Sequence, residues 1–229
     1  MSDGLDARSE ILTRIRSASQ NATELPCEQA WEAIPRDYRM NSTLSRDACI
    51  DLLEERLRDY GAGVLRSQPS QLAATIAEIL RTRKKKLVAV PLDIDPAWLS
   101  ESEDGCTFVP DDALSYAEID SCDGMLTGCT AAIAGTGTLC VCHAPREDTP
   151  AARWPGQGRR ALTLIPDYHL CVVCASSVAE TVPEAMRMLE PYRTGPITLI
   201  SGPSATSDIE MTRIQGVHGP RVLDVVIVS

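Results

Sequence analysis

The stretch Leu199-Ile200-Ser201-Gly202-Pro203-Ser204-Ala205-Thr206-Ser207-Asp208-Ile209-Glu210 changes character in its middle. It begins as an apolar run, breaks at Gly-Pro, and continues with hydroxyl and carboxylate side chains that a core would not accept unpaired. Such a change directly after a strand is typical of α/β proteins, which bind ligands outside the carboxyl ends of their strands. The stretch therefore predicts an α/β fold with a ligand site here. A capped turn is the alternative, because Ser, Thr and Asp are also common helix caps.

Short apolar runs on both sides of this stretch predict the strands of a core sheet. The run at residues 87–90 has the length of a buried strand, and we expect the main sheet to begin there. Further strands are predicted at residues 63–65, 106–109, 124–127, 131–134, 138–142, 161–165, 169–174, 197–201 and 222–228. A helix or turn is expected over residues 111–118 and a helix over 177–190.

The first third of the chain has helical periodicity. Helices are predicted over residues 6–18, 27–34 and 41–60, the last with Ser45 as its N-cap, and a fourth is predicted to begin at Ser70 and to end in the basic run at residues 81–86. The first of these helices is too short to be stable without a packing partner. We predict an N-terminal helical region, residues 1–84, packed on an α/β domain, residues 85–229.

Composition excludes several classes of function. The 229 residues contain 22 Lys and Arg against 32 Asp and Glu, a formal charge of −10, which argues against binding to nucleic acid or to anionic membranes. No apolar segment is long enough for a signal or a membrane span, so we expect a cytoplasmic protein. The nine cysteines are an odd number and several lie in apolar runs, which favours reduced core thiols over disulfides.

The sequence Gly135-Thr136-Gly137-Thr138 is a candidate anion site, because two glycines allow successive N–H groups to turn toward one anion. A plain hairpin turn between two strands is the alternative. The pattern is neither a Walker loop nor a dinucleotide fingerprint, since the required glycine spacing is missing.

Two histidines and two carboxylates are candidate proton carriers. His169 opens a predicted strand, and His218 lies in a sharp turn before Gly219-Pro220, where a polar role is plausible. Asp208 and Glu210 point to the same side if their segment is extended and diverge if it is helical. Each histidine can equally be a structural residue.

Metal, redox and serine-nucleophile chemistry are weakly supported. The three histidines have no metal-ligand spacing, and the pair Cys171 and Cys174 falls within a predicted strand, where residues three apart face opposite ways. A triad of Ser204, His218 and Asp208 would lack the nucleophile elbow. We therefore expect neither a metal nor another cofactor.

Six motifs together resemble the LUD domain of the lactate utilisation protein C family. They are Ala132 to Thr138, Gly158 to Thr163, Pro166 to His169, Ser201 to Ser204, Asp208 to Glu210 and Gly216 to Pro220. The resemblance covers roughly residues 85–229. It implies a fold similar to the superfamily of NagB, ribose-5-phosphate isomerase and the CoA transferases. It also implies a role in the bacterial system that oxidises L-lactate to pyruvate, in which iron–sulfur partner proteins carry the clusters.

One departure from the family pattern concerns the candidate anion site. The family commonly has Glu before Thr-Gly-Thr, whereas this chain has Gly135, so a carboxylate that could act as acid, base or nucleophile is missing. The resemblance then implies a pocket for a small anionic ligand. Its implied residues are Gly135, Thr136, Gly137, Thr138, Ser201, Gly202, Ser204 and Thr206, with Arg160 as charge partner.

Two functions remain open at this point. The chain is either a binding component of a lactate-oxidising assembly, or a stand-alone isomerase or transferase acting on a sugar phosphate or a CoA thioester. In the second case His169, His218, Asp208 and Glu210 would carry protons.

Overall fold

The computed structural model describes residues 3–19, 26–101, 105–143, 156–206, 214–215 and 218–229. The chain forms two compact units, Met1–Tyr38 and Arg39–Ser229. The first unit contains helices α1 (Asp3–Ser19) and α2 (Cys27–Glu32), as the periodicity predicts. The apolar side chains of Ile11, Leu12 and Ile15 on α1 are exposed to solvent.

The second unit alternates helices and strands. Its helices are α3 (Arg46–Asp59), α4 (Leu72–Thr82), α5 (Tyr116–Asp120) and α6 (Val182–Leu189). Its strands are β1 (Gly63–Ser67), β2 (Leu87–Val90), β3 (Thr107–Pro110), β4 (Gly124–Gly128), β5 (Ala131–Ile133), β6 (Thr138–Cys142), β7 (Tyr168–Cys174), β8 (Val178–Ala179), β9 (Ile197–Ile200), β10 (Ala205–Thr206), β11 (Ile214–Gln215) and β12 (Val222–Val228). The domain boundary predicted between residues 84 and 85 stays a prediction. Strand β1, which lies before this boundary in the sequence, pairs with β12, which lies after it.

The central sheet has six parallel strands in the order β1-β12-β7-β4-β2-β3. The four inner strands, β12, β7, β4 and β2, are covered on both faces and so consist mainly of apolar residues, which is why short continuous apolar runs predict them. The final strand, β12, pairs with β1 on one side and with β7 on the other. The predicted α/β fold, a parallel sheet flanked by helices, is confirmed.

The two faces of this sheet bury different apolar clusters. On β12, Leu223, Val225 and Ile227 pack with α3, while Val226 and Val228 pack with α4. Alternation of side chains along a strand produces this division. Helix α3 contributes the predicted apolar face, and Ser45 caps it by accepting a hydrogen bond from the Ala48 N–H.

A second sheet packs against the α3 side of the first. It has four strands in the order β8-β5-β6-β9, with β6 antiparallel to both β5 and β9. Leu139 and Val141 of β6 lie in the same apolar cluster as Leu53 and Leu57 of α3. Because β9 pairs with β6, it belongs to this second sheet and not to the central sheet, although its apolar sequence resembles that of a central strand.

Three local predictions are wrong. The helix predicted over residues 177–190 begins only at Val182, because Val178–Ala179 pair with β5 as strand β8. Residues 161–165 do not form a strand, because the segment begins within a short 3-10 turn, Arg160–Thr163, in which the Leu162 N–H donates to the Arg159 carbonyl and the Thr163 hydroxyl donates to the Arg160 carbonyl. Ser70 does not cap α4, because it lies inside a 3-10 turn, Pro69–Gln71, that precedes the helix.

A buried carboxylate lies on the α4 side of β12. Asp224 accepts hydrogen bonds from Arg83 Nε and Nη2, both at 2.7 Å, and from the Tyr168 hydroxyl at 3.0 Å. Its side chain is 2% exposed. Arg83, in the basic run at the end of α4, thus supplies the charge partner of a core residue. Burial and the nearby carboxylate raise the pKa of Tyr168, so its hydroxyl stays protonated and donates.

A second buried carboxylate, Glu180, holds the segment that leads into α3. It accepts hydrogen bonds from the Leu44 and Thr43 N–H groups and from the Ser42 hydroxyl, at 2.7 to 2.9 Å, and it pairs with Arg39. The hydrogen bond from Leu44 is the main cause that lowers the pKa of Glu180 to about 2.

All nine cysteines lie in described residues and none forms a disulfide. Most of them are buried in apolar clusters. Among the described helices, none combines the length and the apolar character needed to cross a membrane.

Replacing Asp224 with Ala is expected to lower the free energy of unfolding by about 2–3 kcal/mol, because the Tyr168 hydroxyl loses its acceptor in the core and Arg83 loses its partner. Urea unfolding followed by circular dichroism measures the loss. The matched control is Asp167→Ala, whose partner is Arg221 and whose side chain is 51% exposed, for which a loss below about 1 kcal/mol is expected. Equal losses in both variants would contradict the account.

Replacing Glu180 with Gln tests its depressed pKa. A carboxyl whose pKa is lower in the folded state stabilises the fold above its unfolded pKa, and this contribution is lost as the pH falls toward the folded pKa. The urea midpoint of the unmodified protein should exceed that of Glu180→Gln at pH 7, and the difference should shrink as the pH falls from about 4.5 toward about 2. The variant at an exposed glutamate, Glu190→Gln, should show no such pH-dependent difference. If the difference in urea midpoint for Glu180→Gln stayed constant over this pH range, the lowered pKa of Glu180 would not contribute to stability.

Candidate functional site

A pocket of about 230 Å³ lies where the loop after β9 meets the turn before β12. Its polar side chains are hydroxyls and imidazoles, namely those of Thr163, His169, Thr198, Ser201, Ser204 and His218. The remaining wall is apolar and includes Leu164, Ile200 and Leu223. A small apolar concavity with a few convergent polar groups is the usual form of a ligand site.

Backbone hydrogen bonds hold the two loops of the pocket together. The Ser204 N–H donates to the Pro220 carbonyl at 2.8 Å, and the His218 N–H donates to Ser204 Oγ at 3.2 Å. Gly202 has a φ of +82°, and a Cβ atom built at this position would lie 2.5 Å from Tyr60 Cβ. Only glycine fits this close approach without strain, which explains the Gly-Pro break in the sequence.

The pocket lies beside the amino ends of two central strands rather than outside their carboxyl ends. His169 is the second residue of β7, and Leu223 is the second residue of β12. The residues that follow β9 reach this place because β9 belongs to the second sheet and runs antiparallel to β6. The pocket thus lies at the carboxyl end of β9 but not at the carboxyl ends of the central strands, where the general rule for α/β sheets predicts a ligand site.

A chain of hydroxyls connects the candidate anion turn to the pocket. Thr136 Oγ1 lies 2.8 Å from Thr138 Oγ1, which lies 2.8 Å from Ser201 Oγ. The two glycines of this turn have other roles. The Gly135 N–H donates to the Glu180 carbonyl, the Gly137 N–H donates to the Ala134 carbonyl, and neither lines the pocket. The turn therefore supports Ser201 through its threonines, while its glycine amides are already bonded to protein carbonyls.

Gly137 has a packing function. It has a φ of +60°, and a Cβ atom built there would lie 2.7 Å from Arg56 Cβ on α3. The turn Ala134–Thr136 between β5 and β6 thus lies directly against α3. This corresponds to the hairpin alternative of the sequence analysis, closed by a 3-10 turn.

His169 is held on the interior side by a buried polar cluster. Its Nε2 lies 2.7 Å from Thr127 Oγ1, and that oxygen lies 4.0 Å from Cys171 Sγ. All three side chains are at most 1% exposed. A hydrogen bond from the Cys129 thiol lowers the pKa of Cys171, against the opposing effect of burial. The His169 ring borders the pocket with a fixed orientation, which is a suitable arrangement for a proton carrier.

His143, which the sequence does not single out, contacts the pocket lining. It follows β6 and is 6% exposed. Its Nδ1 lies 3.0 Å from the Gly158 carbonyl oxygen, and its Nε2 lies 2.7 Å from Oγ1 of the pocket residue Thr198. Burial lowers the pKa of His143, and the nearby Arg160 and His169 act in the same direction. A lone histidine after an apolar strand carries no motif, so only its contact with Thr198 identifies it.

The remaining candidates lie apart from this pocket or outside the described side chains. Arg160 is exposed and lies near His143, but it does not line the pocket. Thr206 forms a strand pair with Ile214, and its side chain is not described. Asp208 and Glu210 lie outside the described residues, so their predicted role as proton carriers stays a prediction.

The described lining of the pocket contains no Lys, Arg, Asp or Glu side chain. Within the described residues, no group of three or more His, Cys, Asp or Glu side chains is arranged to hold a metal ion. The polar chemistry available here is hydrogen bonding by hydroxyls, backbone groups and imidazoles. Such a set suits a small ligand with one carboxylate better than a phosphate, which arginine recognises through paired hydrogen bonds.

A larger hollow of about 550 Å³ lies elsewhere, along the basic run. Arg81 and residues 84–86 line it together with Glu78 and Glu101. Charges of both signs meet there, and its cationic residues belong to the basic run at the end of α4, where positive charge complements the helix dipole. Its residues come from none of the motifs singled out as ligand-binding.

Comparison with known proteins gives consistent matches. The sequence model of the LUD domain family matches residues 50–228. The chain is similar to lactate utilization protein C of Deinococcus radiodurans, with 40% identity over 98% of this chain and 96% of that protein. It is also similar to lactate utilization protein C of Macrococcus caseolyticus, with 23% identity over 83% of this chain and 81% of that protein. A crystal structure of a DUF162 family protein from Deinococcus radiodurans has a TM-score of 0.64 at 34% identity, over 81% of this chain and 99% of that chain.

Replacing Gly202 with Ala is expected to lower the free energy of unfolding by roughly 2–4 kcal/mol, since a positive φ and an overlap with Tyr60 both oppose the new methyl group. The matched control is Gly61→Ala, at a φ of +86°, where the new methyl group would have no neighbouring atom within 4 Å and only about 1–2 kcal/mol is expected. Chemical denaturation of both variants measures the difference. If Gly61→Ala cost as much as Gly202→Ala, close packing of the pocket loop on Tyr60 would be disproved.

Proposed function

This chain belongs to the LUD domain family, and we propose that it is a component of a bacterial system that oxidises L-lactate to pyruvate, in which its pocket binds a small carboxylate. Relatives named lactate utilization protein C support the lactate part of the proposal, in particular the one matched along almost its whole length. The observation that supports the binding part is the convergence of hydroxyls and imidazoles from three separated segments on one small pocket.

The size and polarity of the pocket favour a small acid. About 230 Å³ suits a ligand of a few heavy atoms and not a CoA thioester. Ser204 is placed to bind a carboxylate, because its oxygen accepts the His218 N–H and, within the part of the chain that the structure describes, its own hydrogen has no acceptor.

A stand-alone isomerase or transferase is less well supported. A sugar phosphate calls for arginine or lysine at the phosphate, and the described lining has neither. The glutamate that becomes acylated in CoA transferases has no counterpart at Gly135. A binding or accessory subunit, working beside partner proteins that carry iron–sulfur clusters, fits these features better.

Growth on lactate tests the proposal. Deletion of the gene in the organism of origin should prevent or slow growth on L-lactate as the carbon source and leave growth on pyruvate unchanged. The unmodified gene should restore growth, and the variant with Ser204→Ala and His218→Ala should restore it poorly although it accumulates normally. The matched control, Glu190→Ala at an exposed site away from the pocket, should restore growth fully. Normal growth of the deletion strain on L-lactate would refute the proposed role.

Purification from lactate-grown cells tests the partners. A tagged chain should bring with it proteins that contain iron and acid-labile sulfide, and the same tag on an unrelated protein should not. Recovery of the tagged chain without any iron-containing protein, under conditions where growth depends on it, would count against the assembly.

A further inference from the structure

The contacts of His143 determine which way the Thr198 hydroxyl hydrogen points. The Gly158 carbonyl oxygen, 3.0 Å from His143 Nδ1, can only accept a hydrogen bond, so Nδ1 carries a hydrogen. An imidazole that is neutral carries no second hydrogen, and its Nε2 is then an acceptor. The Thr198 hydroxyl, 2.7 Å from Nε2, therefore donates its single hydrogen to His143.

This arrangement leaves Thr198 with acceptor capacity alone. Thr198 lines the pocket, and among the described residues no other side chain bonds to its hydroxyl oxygen. Its free lone pairs can accept a hydrogen bond from a ligand, but it has no hydrogen left to donate. Ser204 differs from Thr198, because its oxygen accepts the His218 N–H and, among the described residues, its hydroxyl hydrogen is bonded to no acceptor. The pocket thus offers an acceptor on strand β9, at Thr198, and a donor in the loop that follows this strand, at Ser204.

We infer that Thr198, oriented by His143, accepts a hydrogen bond from the alcohol of a small 2-hydroxy carboxylate and so selects it over the 2-oxo acid of the same carbon skeleton. The alcohol has a hydrogen to donate to Thr198. A ketone oxygen at the same place has none, so it would face the lone pairs of the Thr198 oxygen without a hydrogen bond. Ser204 binds the carboxylate. The inference rests on the proposed function, since it names the class of acid that the same pocket binds.

Direct binding measurements test the selection. Isothermal titration of the full chain with L-lactate, pyruvate and propionate compares a hydroxyl, a ketone and no oxygen at one position of nearly identical acids. L-Lactate should bind about tenfold more tightly than the other two, the effect of one hydrogen bond of about 1.4 kcal/mol. Thr198→Val should reduce this preference to about threefold or less, and Thr198→Ser, which keeps the hydroxyl, should retain it.

The matched control is Thr163→Val. Thr163 also lines the pocket, and its hydroxyl donates to the Arg160 carbonyl at 2.9 Å, so the same chemical change is made at a second pocket threonine. The preference for L-lactate should persist in this variant. Circular dichroism and the melting temperature establish that each variant is folded before its binding is compared.

The pH dependence of the preference tests the positioning role of His143. Protonated His143 donates from Nε2, so Thr198 must turn its own hydrogen toward the pocket, where it would favour the ketone. The ratio of L-lactate to pyruvate affinity should therefore fall as the pH is lowered toward the pKa of His143, and it should not change in Thr198→Val. Arg160 and His169 face His143 and oppose its protonation. The ratio of the two affinities, rather than either affinity alone, isolates the effect at Thr198 from any change with pH that acts on both acids equally.

The outcomes distinguish the two proposals. Binding of none of the three acids by the unmodified protein would overturn the proposed ligand and the selection together. Equal binding of all three would overturn the selection and leave a small-carboxylate pocket. Loss of the preference in Thr163→Val with retention in Thr198→Val would overturn the assignment to Thr198. A preference confined to proteins with a hydroxyl at position 198, weakening at low pH, would support it.

Discussion

The pairing of the last strand, β12, between β1 and β7 is the constraint on which the rest of the described fold depends. Without it, the facing backbone groups of two buried strands would lack partners, at a cost of about 1–3 kcal/mol for each group left unsatisfied in the core. The end of the chain thus completes a sheet whose other strands begin with residue 63. Its residues also join the two apolar clusters on opposite faces of the sheet.

The position of β12 also determines the position of the pocket. The turn at residues 218–220 precedes this strand, so it must lie at the amino edge of the sheet, next to His169 at the start of β7. The loop after β9 arrives from the second sheet and bonds to the same turn through Ser204. Elements far apart in the sequence therefore contribute hydroxyls and imidazoles to one place, and the proposed function depends on this convergence.

Much of this fold could be predicted from the sequence, because a strand buried on both faces must be apolar nearly throughout, and β2, β4, β7 and β12 all are. The same criterion fails at residues 161–165, where an apolar segment closes a 3-10 turn whose local hydrogen bonds replace those of a ladder. It also cannot distinguish β9 from a strand of the central sheet, since the choice of sheet depends on long-range pairing.

The site could be predicted in part. Ser201, Gly202, Ser204, His169 and His218 line one pocket, as polar residues at the ends of strands indicate. The glycines at positions 135 and 137 suggest an anion cradle in the sequence, but close packing against α3 and Glu180 requires small residues there for a different reason. His143 could not be recognised, because its importance depends on a contact with Thr198, 55 residues away.

The central claim is that the loops after β9 and before β12 form a binding site for a small 2-hydroxy carboxylate. A crystal structure of the protein grown with L-lactate tests it most directly. The account predicts the acid in the pocket, with its alcohol on Thr198 and its carboxylate on Ser204. L-Lactate bound at a different place, with this pocket filled by water at saturating ligand, would contradict it.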